Sequence, residues 1–435
     1  MDHSAAPLSA FDLAAIVTVA AAVLGWVNYH VLRLPNVIGL TVMGAAVSVL
    51  LLISNAIAPG LAMDDWVADM LVRMNFSDTL LEGMLSFLLF AGALHVDLGA
   101  LRREWLPVLL LSTIGVVLST VLVGLALYGF VMLLGIGLPM IWCFVFGALI
   151  APTDPVSVLG IMKQMKVPPL LQATVTGESL FNDGVGIVVF TILLGAAVSG
   201  ADFSVAEGAR LFAIEAGGGI LVGLLAGTAA FYAMRSMDDY PIEVLISLAV
   251  VMGGYALCTR LHISGPLAMA VAGLLIGNQG TLHAMSDTTR DYLIKFWEVI
   301  DELLNSALFL LIGLEVIAIV PAWNQLWVGL AAIPIALLAR AVAVRASLLA
   351  VRLRRGTNQP AARRVLIWGG LRGGISIALV LTLLAGPIRD LLLAATFAAV
   401  LFSVLVQRAT LGPLIDKAKD EMNAMQAATP HDDGR

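Results

Sequence analysis

Two carboxylates, Glu178 and Asp183, lie inside one long apolar stretch, 171–198. Charged groups at the centre of a bilayer are costly, so carboxylates inside such a stretch indicate a functional site. Helical spacing places Ser179 and Asp183 on one face, and Glu178 and Asn182 on a second face about 100° around the helix. The first face offers hydroxyl and carboxylate oxygens, which are the hard ligands that a small alkali cation prefers. Glu178 faces elsewhere and needs a cationic partner.

Two arginines within a later apolar stretch are candidates for that partner, Arg340 and Arg345. Arg340 is the deeper of the two, so we expect it to pair with Glu178. The alternative is that Arg340 extends its side chain to water at the end of its helix. An Arg–Glu pair in the membrane would be structural, because a guanidinium stays charged and does not exchange protons.

A third carboxylate, Asp154, lies between two prolines. Pro152 and Pro155 each lack a backbone N–H and clash with the preceding turn, so we expect the helix to break around Thr153. A broken helix leaves carbonyls and amides without intrahelical partners, and these can hold a cation or be balanced by a nearby charge. Asp154 is therefore a candidate cation ligand. It is also a suitable cap for the second half of the helix, and the two roles are compatible.

Four glycines surround a further arginine, Arg372, in the stretch 369–376. Such a stretch propagates poorly as helix and lets other backbones approach closely, although a plain packing motif of glycines is the alternative. We expect this second break to cross the first at mid-membrane. Asp154 and Arg372 then have the charges needed to neutralise the opposed dipoles of the half-helices.

Weak self-similarity supports this pairing of the two breaks. Residues 89–92 resemble 310–313, and 147–149 resemble 369–371, both at an offset of about 220 residues. With seven predicted spans between the copies, the two halves have opposite topology, and inverted repeats of this kind are typical of secondary transporters. Chance matching is the alternative in so apolar a chain.

The composition is that of a polytopic membrane protein. Of 435 residues, 60% are hydrophobic and 12% are charged, against about 25% charged in a soluble domain. The net charge of −6 comes from few, widely spread charges, so it indicates neither a nucleic-acid surface nor an acidic tail. The two cysteines, Cys143 and Cys258, lie in apolar stretches, which predicts buried thiols and no disulfide.

Thirteen apolar segments predict an all-α membrane protein with about 13 transmembrane helices. The segments are 10–30, 36–54, 79–97, 106–134, 139–162, 171–198, 207–234, 242–260, 265–279, 296–320, 325–350, 363–384 and 388–412. Loops rich in Lys and Arg stay on the cytoplasmic side, and alternate loops carry most of them, including Arg102, Arg103, Arg352, Arg363 and Arg364. We therefore expect the N-terminus outside and the C-terminus in the cytoplasm.

These motifs resemble those of the monovalent cation:proton antiporters, in the branch of the bacterial Na+/H+ exchangers of the NhaP type and the animal sodium/proton exchangers. The resemblance rests on Thr153-Asp154-Pro155, on Gly177-Glu178-Ser179 followed by Phe181-Asn182-Asp183-Gly184, on Arg340, and on Gly370-Leu371-Arg372-Gly373. The four motifs occur in order and on the expected spans, and the match covers about residues 10 to 412.

The resemblance implies a fold of two inverted six-helix repeats with crossed broken helices. Predicted helices 1–3 and 8–10 would form a dimerisation part, and predicted helices 4–6 and 11–13 a transport core, all within residues 1–412. Residues 413–435 would be a short cytoplasmic tail. The resemblance also implies a homodimer in the bacterial inner membrane, with the lipid bilayer as its surroundings, no cofactor and no nucleic-acid partner.

Site roles follow from the same resemblance, residue by residue. Asp183 would bind the ion and the proton in turn, Asn182 would mark the electroneutral class, Glu178 with Arg340 would be the core salt bridge, and Arg372 would be the counter-charge at the crossing. The implied ion- and proton-binding residues are Asp183, Asp154, Ser179, Thr153 and Asn182, and the first four of these are the implied Na+ ligands. One departure is Ala91, which stands where relatives often carry a glutamate, so ion affinity and selectivity stay open; the role of Glu315 stays open as well.

The implied function is secondary active exchange of one Na+ for one H+, not enzymatic catalysis. Within this class, K+/H+ or Li+/H+ exchange is the alternative, because oxygen ligands of this kind do not determine ion size. From another class, the alternative is a channel in which Asp154 and Asp183 line a continuous pore. An intramembrane hydrolase is disfavoured, because Ser179 has no histidine at helical spacing.

Overall fold

A computed structural model describes most of the chain, and every regular element in the described part is helical. The described residues are 10–57, 84–154, 158, 161–162, 165, 167–200, 204–280, 285–314, 323–355 and 360–428. The helices are α1 Ala10–Val27, α2 Asn36–Ile57, α3 Leu85–Leu94, α4 Leu98–Arg103, α5 Trp105–Ser112, α6 Ile114–Leu133, α7 Met140–Ile150, α8 Pro169–Ser199, α9 Val205–Arg235, α10 Tyr240–Leu261, α11 Gly265–Leu275, α12 Asp287–Leu314, α13 Trp323–Arg355, α14 Pro360–Trp368, α15 Gly374–Leu381, α16 Pro387–Phe402 and α17 Arg408–Ala428.

The long apolar helices are those that the hydropathy of the sequence predicts. Within the described ranges, seven helical segments are long and apolar enough to cross a membrane, and four shorter apolar helices accompany them. All thirteen predicted segments overlap helical residues, while the count of thirteen spans and the inverted repeat stay predictions. The predicted segment 106–134 is divided at Thr113, whose hydroxyl donates to the carbonyl of Leu109 at 2.5 Å. A hydroxyl bonded to the preceding turn bends a helix.

One buried core surrounds α7. Phe146 and Leu149 of α7 are fully buried among Val123 and Leu127 of α6 and Leu392 of α16. Because α7 is apolar on all sides, it is enclosed by its neighbours instead of lining the surface. This packing holds the end of α7, where the polar residues begin, in the interior of the protein.

A second buried core is centred on Trp297 of α12. The Trp297 ring lies 4.6 Å from that of Phe90 on α3, between ring centroids, and its indole N–H donates to Ser247 Oγ at 3.0 Å. Met269 of α11 and Val251 of α10 belong to the same core. The aromatic pair and the satisfied indole fix α12 against α3 and α10.

Helices α6 and α7 approach each other closely at Gly147 of α7. A Cβ at this position would lie 2.3 Å from the carbonyl oxygen of Thr120 on α6, so any side chain forces the two backbones apart. We expect Gly147→Ala to destabilise the protein by about 1–3 kcal/mol, the usual cost of overpacking. The measurement is the thermal unfolding midpoint in detergent.

The matched control for this substitution is Gly129→Ala on α6, where a Cβ would meet no atom within 4 Å. There the better helix propensity of alanine makes the change neutral or stabilising by up to about 1 kcal/mol. Equal midpoints for the two variants would contradict the close α6–α7 approach.

The last helix, α17, extends beyond the end of the predicted final segment at residue 412. Its residues Leu411, Ile415 and Ala418 are buried against the core, and Arg364 of α14 forms an ion pair with Glu421. The predicted boundary between the transmembrane part and the tail at residue 412 therefore falls inside a helix that continues to Ala428.

Candidate functional site

Two interrupted helices meet in the interior. Helix α7 ends at Ile150, and residues 151–154 are not helical, so the break that Pro152 predicts around Thr153 is confirmed. The second interruption separates α14 from α15 at residues 369–373. The two non-helical segments touch, because the backbone N–H of Asp154 donates to the carbonyl of Leu371 at 2.8 Å.

Arg372 lies at the C-terminal end of α7. Its guanidinium donates to the carbonyl of Pro152 at 2.8 Å and to that of Ala151, and its backbone N–H donates to Ser403 Oγ at 2.7 Å. The last carbonyls of a helix lack intrahelical donors and carry the negative end of the dipole. A buried cation at this point therefore satisfies the carbonyls that the break exposes.

Gly373 allows the two breaks to come this close. A Cβ at Gly373 would lie 2.8 Å from the Cβ of Asp154 and 3.3 Å from its Oδ2. Any side chain here would displace the Asp154 carboxylate. Glycine at position 373 thus leaves the space that the Asp154 carboxylate occupies.

Thr153 is held by helix α8. Its hydroxyl lies 3.0 Å from Ser179 Oγ and accepts a hydrogen bond from Asn182 Nδ2 at 2.7 Å, and its backbone N–H donates to Asn182 Oδ1 at 3.3 Å. All three residues are buried. Asn182, which the resemblance places among the ion- and proton-binding residues, uses its amide here to fix the broken segment to α8.

Glu178 and Arg340 form a buried ion pair, at 1% and 7% exposure. The pair is bidentate: Arg340 Nη2 donates to Glu178 Oε2 at 2.8 Å, and Nη1 donates to Oε1. Arg340 also donates to the carbonyl of Leu366 on α14 at 2.9 Å. Arg345, the other sequence candidate, is exposed. Asn182 Nδ2 lies 3.4 Å from Glu178 Oε1 and so connects the ion pair to Thr153.

A cavity of about 40 Å³ opens beside the crossing, and both Asp154 and Asp183 line it. Asp183 is 1% exposed, and its Oδ1 has no hydrogen-bond partner within the described part of the chain. Of the four predicted Na+ ligands, these two carboxylates reach the cavity, whereas the hydroxyls of Thr153 and Ser179 bond to each other. The arrangement offers two carboxylates to one small ion in a desolvated place.

Sequence reasoning missed two polar residues of this cavity, Asn305 and Ser376. The Ser376 hydroxyl is buried and, among the residues that the structure covers, has no hydrogen-bond partner. Ser376 is the last residue of the glycine-rich stretch 369–376, and that position is the signal that could have identified it. Asn305 Nδ2 donates to the carbonyl and the carboxylate of Asp301, at 2.8 and 3.1 Å. Nothing in the sequence indicated Asn305, because it lies within a predicted apolar segment whose charged residues are mostly at one end.

Comparison with known proteins gives a consistent family. The model of the family described as "Sodium/hydrogen exchanger, transmembrane" matches residues 18–417. The chain belongs to the sodium/hydrogen exchanger family. It is therefore a multi-pass membrane protein and a secondary transporter, not an enzyme.

Several relatives are similar over most of their length. The Na+/H+ antiporter NhaP of Pseudomonas aeruginosa is 46% identical over 409 residues, covering 93% of this chain and 96% of the relative. The Na+/H+ antiporter NhaH of Halobacillus dabanensis is 37% identical, covering 79% and 83%. The solved structure of the sodium proton antiporter MjNhaP1 from Methanocaldococcus jannaschii has a TM-score of 0.72 at 22% identity, covering 94% of this chain and 98% of that one. The last match shows that the fold is shared.

Two further residues near the exchanger site are Ala91 and Arg408. Ala91 is buried in α3 and does not line the cavity, whereas Leu88 and Leu89 of that helix do. Arg408, at the start of α17, lies within electrostatic reach of Asp154. Glu315 lies outside the described residues. Across the described ranges, no group of three or more His, Cys, Asp or Glu side chains is arranged to hold a metal ion.

Proposed function

We propose that the protein exchanges Na+ for H+ across the bacterial inner membrane, one for one, with Asp183 binding the two ions in turn. The observation that carries the proposal is the buried Asp183 carboxylate, which faces a small cavity together with Asp154 and has an oxygen without a hydrogen-bond partner among the described residues. The names of the relatives, which are Na+/H+ antiporters, support the choice of ions.

The charges around Asp183 support competition between the ions. Arg340 is paired with Glu178, and Arg372 is bonded to the carbonyls at the end of α7. Within the described part of the chain, neither guanidinium forms an ion pair with Asp183, and a buried carboxylate without a bound cation is costly. Binding either Na+ or H+ removes that cost. Each ion therefore displaces the other. The site changes its access from one side of the membrane to the other more readily when it is loaded than when it is empty.

One carboxylate that alternates between two monovalent ions gives an electroneutral cycle. Asn182 supports this stoichiometry, because a second carboxylate at that position would add a charge to each cycle. Its amide is bonded to Thr153 and lies near Glu178. In the proposed cycle Asn182 supports the site mechanically and carries no proton.

We propose Asp183 and Asp154 as direct Na+ ligands, with Thr153 and Ser179 supplying further oxygens when the site is loaded. These hard oxygen ligands also suit Li+. K+/H+ exchange by the same route is the second candidate. A cation channel is a third, and differs from exchange in lacking saturable competition between the cation and the proton.

We extend the proposal to the wider organisation of the chain. Residues 1–412 form the transmembrane domain and residues 413–435 a short cytoplasmic tail, of which the first part continues α17. Predicted helices 1–3 and 8–10 form the dimerisation part of a homodimer, and the others, except the seventh, the transport core. The concentration of Lys and Arg in alternate loops supports an N-terminus outside and a C-terminus in the cytoplasm.

The test is proton flux in proteoliposomes with an acid interior, to which Na+, Li+ and K+ are added separately. Valinomycin clamps the voltage in the Na+ and Li+ runs. We expect saturable internal alkalinisation by Na+ that the clamp does not change. A response to K+ alone would mean that K+ is the transported cation. A response that the clamp changes would reject electroneutrality, and unsaturable conductance would favour a channel.

Ser376→Ala tests the extent of the ion site. If the Ser376 hydroxyl contributes an oxygen to the loaded cavity, its loss removes one neutral contact of about 1 kcal/mol. We therefore expect the Na+ concentration for half-maximal exchange to rise about threefold to tenfold, with the maximal rate little changed. The control is Ser119→Ala on α6, which removes a hydroxyl that is also buried and without a partner in the described structure. Equal effects would assign Ser376 to packing.

A further inference from the structure

A second cavity, larger than the ion cavity, is lined in part by α8 and α13, the helices that carry the ion pair. Its volume is about 360 Å³, and it is bounded by α5, by the start of α8, by the end of α13 and by α14. It is distinct from the ion cavity, because the two share no lining residue. Nothing in the proposed exchange cycle uses it.

Three arginines line this cavity, Arg345, Arg352 and Arg363. Arg345 and Arg352 are two turns apart on α13 and so share one face of the helix, and Arg363 comes from α14. Within the described ranges, none of the three guanidinium groups forms a hydrogen bond or an ion pair. Glu104 is the one acidic residue in the lining, so the charges leave a surplus of positive charge.

The rest of the lining is largely apolar, and part of it is exposed at the surface of the protein. Leu170 of α8 is 42% exposed and Leu349 of α13 is 53% exposed, and both belong to the cavity wall. Trp105, at the start of α5, is 48% exposed, and it neighbours Glu104. Exposed tryptophan and arginine at the end of membrane helices are typical of the headgroup level of a bilayer.

We propose that this cavity binds one anionic phospholipid. The phosphate group lies on the guanidinium groups of Arg345, Arg352 and Arg363, and an acyl chain follows Leu170 and Leu349 into the bilayer. A basic pocket between membrane helices with an apolar wall suits such a lipid on the cytoplasmic side. A free phosphate ion has the same charge chemistry, but it would leave the apolar wall and most of the volume without a ligand.

The lipid would connect the helices that hold the buried ion pair. Glu178 is on α8 and Arg340 is on α13, and both helices contribute to the cavity. Arginine binds phosphate through paired, charge-assisted hydrogen bonds, so an anionic headgroup can hold α13 and α14 together. The expected result of binding is a more stable protein, whichever cation it transports.

The experiment measures binding without transport. Delipidated protein in detergent is titrated with dioleoyl phosphatidylglycerol, with dioleoyl phosphatidylcholine and with inorganic phosphate, and thermal stability and native mass spectra are recorded. We expect phosphatidylglycerol to raise the unfolding midpoint and to give a one-to-one adduct, and the other two to do neither. In R345Q/R352Q/R363Q we expect the affinity for phosphatidylglycerol to fall at least tenfold.

The matched control is R235Q/R290Q, which removes two exposed arginines that the loop charges place on the same side of the membrane. Its affinity should equal that of the unmodified protein. Unchanged binding in the triple variant, equal binding of phosphatidylcholine, or equal stabilisation by phosphate would each overturn the lipid site. If the triple variant does not fold, R352Q alone changes one exposed side chain, and we then expect a smaller but measurable loss of affinity.

Discussion

Asp183→Asn reduces Na+-driven alkalinisation of acid-loaded proteoliposomes to the level of protein-free vesicles. Asparagine has nearly the same shape as aspartate but neither binds a proton in this pH range nor carries a charge, so the site loses the alternation between Na+ and H+. Because the residue is buried and its Oδ1 has no partner within the described structure, the substitution breaks no described hydrogen bond of that oxygen. We therefore expect normal folding together with complete loss of exchange.

The control for this variant is Asp291→Asn. Asp291 is exposed on α12 and lies 3.8 Å from Lys295 in a surface pair, so its substitution should change neither stability nor exchange. Size-exclusion profiles and unfolding midpoints of both variants establish that the proteins are folded. An Asp183→Asn protein that exchanges ions at the unmodified rate would reject Asp183 as the ion-binding carboxylate.

Local rules predicted much of the site. Pro152 placed the first helix break correctly, and the spacing of Glu178 from Ser179 and Asp183 correctly indicated that Glu178 pairs with a cationic side chain. The depth of Arg340 in its segment identified that partner. Each of these inferences depends on a property of one helix, namely a missing donor, a period of 3.6 residues, or a distance from the membrane surface.

The same local rules do not predict contacts between distant segments of the chain. Helical spacing puts Asn182 beside Glu178, but its bonds to Thr153 depend on how the broken segment crosses α8. The sequence indicated Arg372 as a counter-charge, and its carbonyl partners at Ala151 and Pro152 emerge only when the two breaks meet. These are tertiary contacts, for which the sequence supplies the groups without their arrangement.

Helix α17 has a buried apolar face that the hydropathy of the sequence does not show, because charged residues lie next to it. Leu411, Ile415 and Ala418 recur at helical spacing, but the neighbouring Lys417 and Lys419 end the apolar segment by hydropathy. In the structure the charged residues lie beside that stripe, and Lys419 Nζ donates to the carbonyl of Met165 at 3.0 Å. Mean hydropathy averages over all sides of a helix. It therefore underestimates the length of a helix that is apolar on one side only.

Arg340→Ala and Glu178→Ala each lower the yield of folded protein severely. Removing one member of a buried ion pair leaves the other charge without compensation, which costs about 3–5 kcal/mol. Arg340 has an additional role, because it donates to the carbonyl of Leu366 and so connects α13 to α14. We therefore expect Arg340→Ala to be at least as harmful as Glu178→Ala. Fluorescence-detected size exclusion from membranes and unfolding midpoints in detergent measure the effect.

The double variant distinguishes a charge effect from a packing effect. With both Glu178 and Arg340 replaced by alanine, no isolated charge remains, so the double variant should be more stable than the sum of the single losses predicts. As a surface control, replacing Asp291 and Lys295 should change stability by less than about 1 kcal/mol, because that pair is exposed. Normal yields from both single variants would mean that the Glu178–Arg340 pair does not support the core. In that case Asp183→Asn, which we expect to fold and not to transport, would remain a test of the ion site alone.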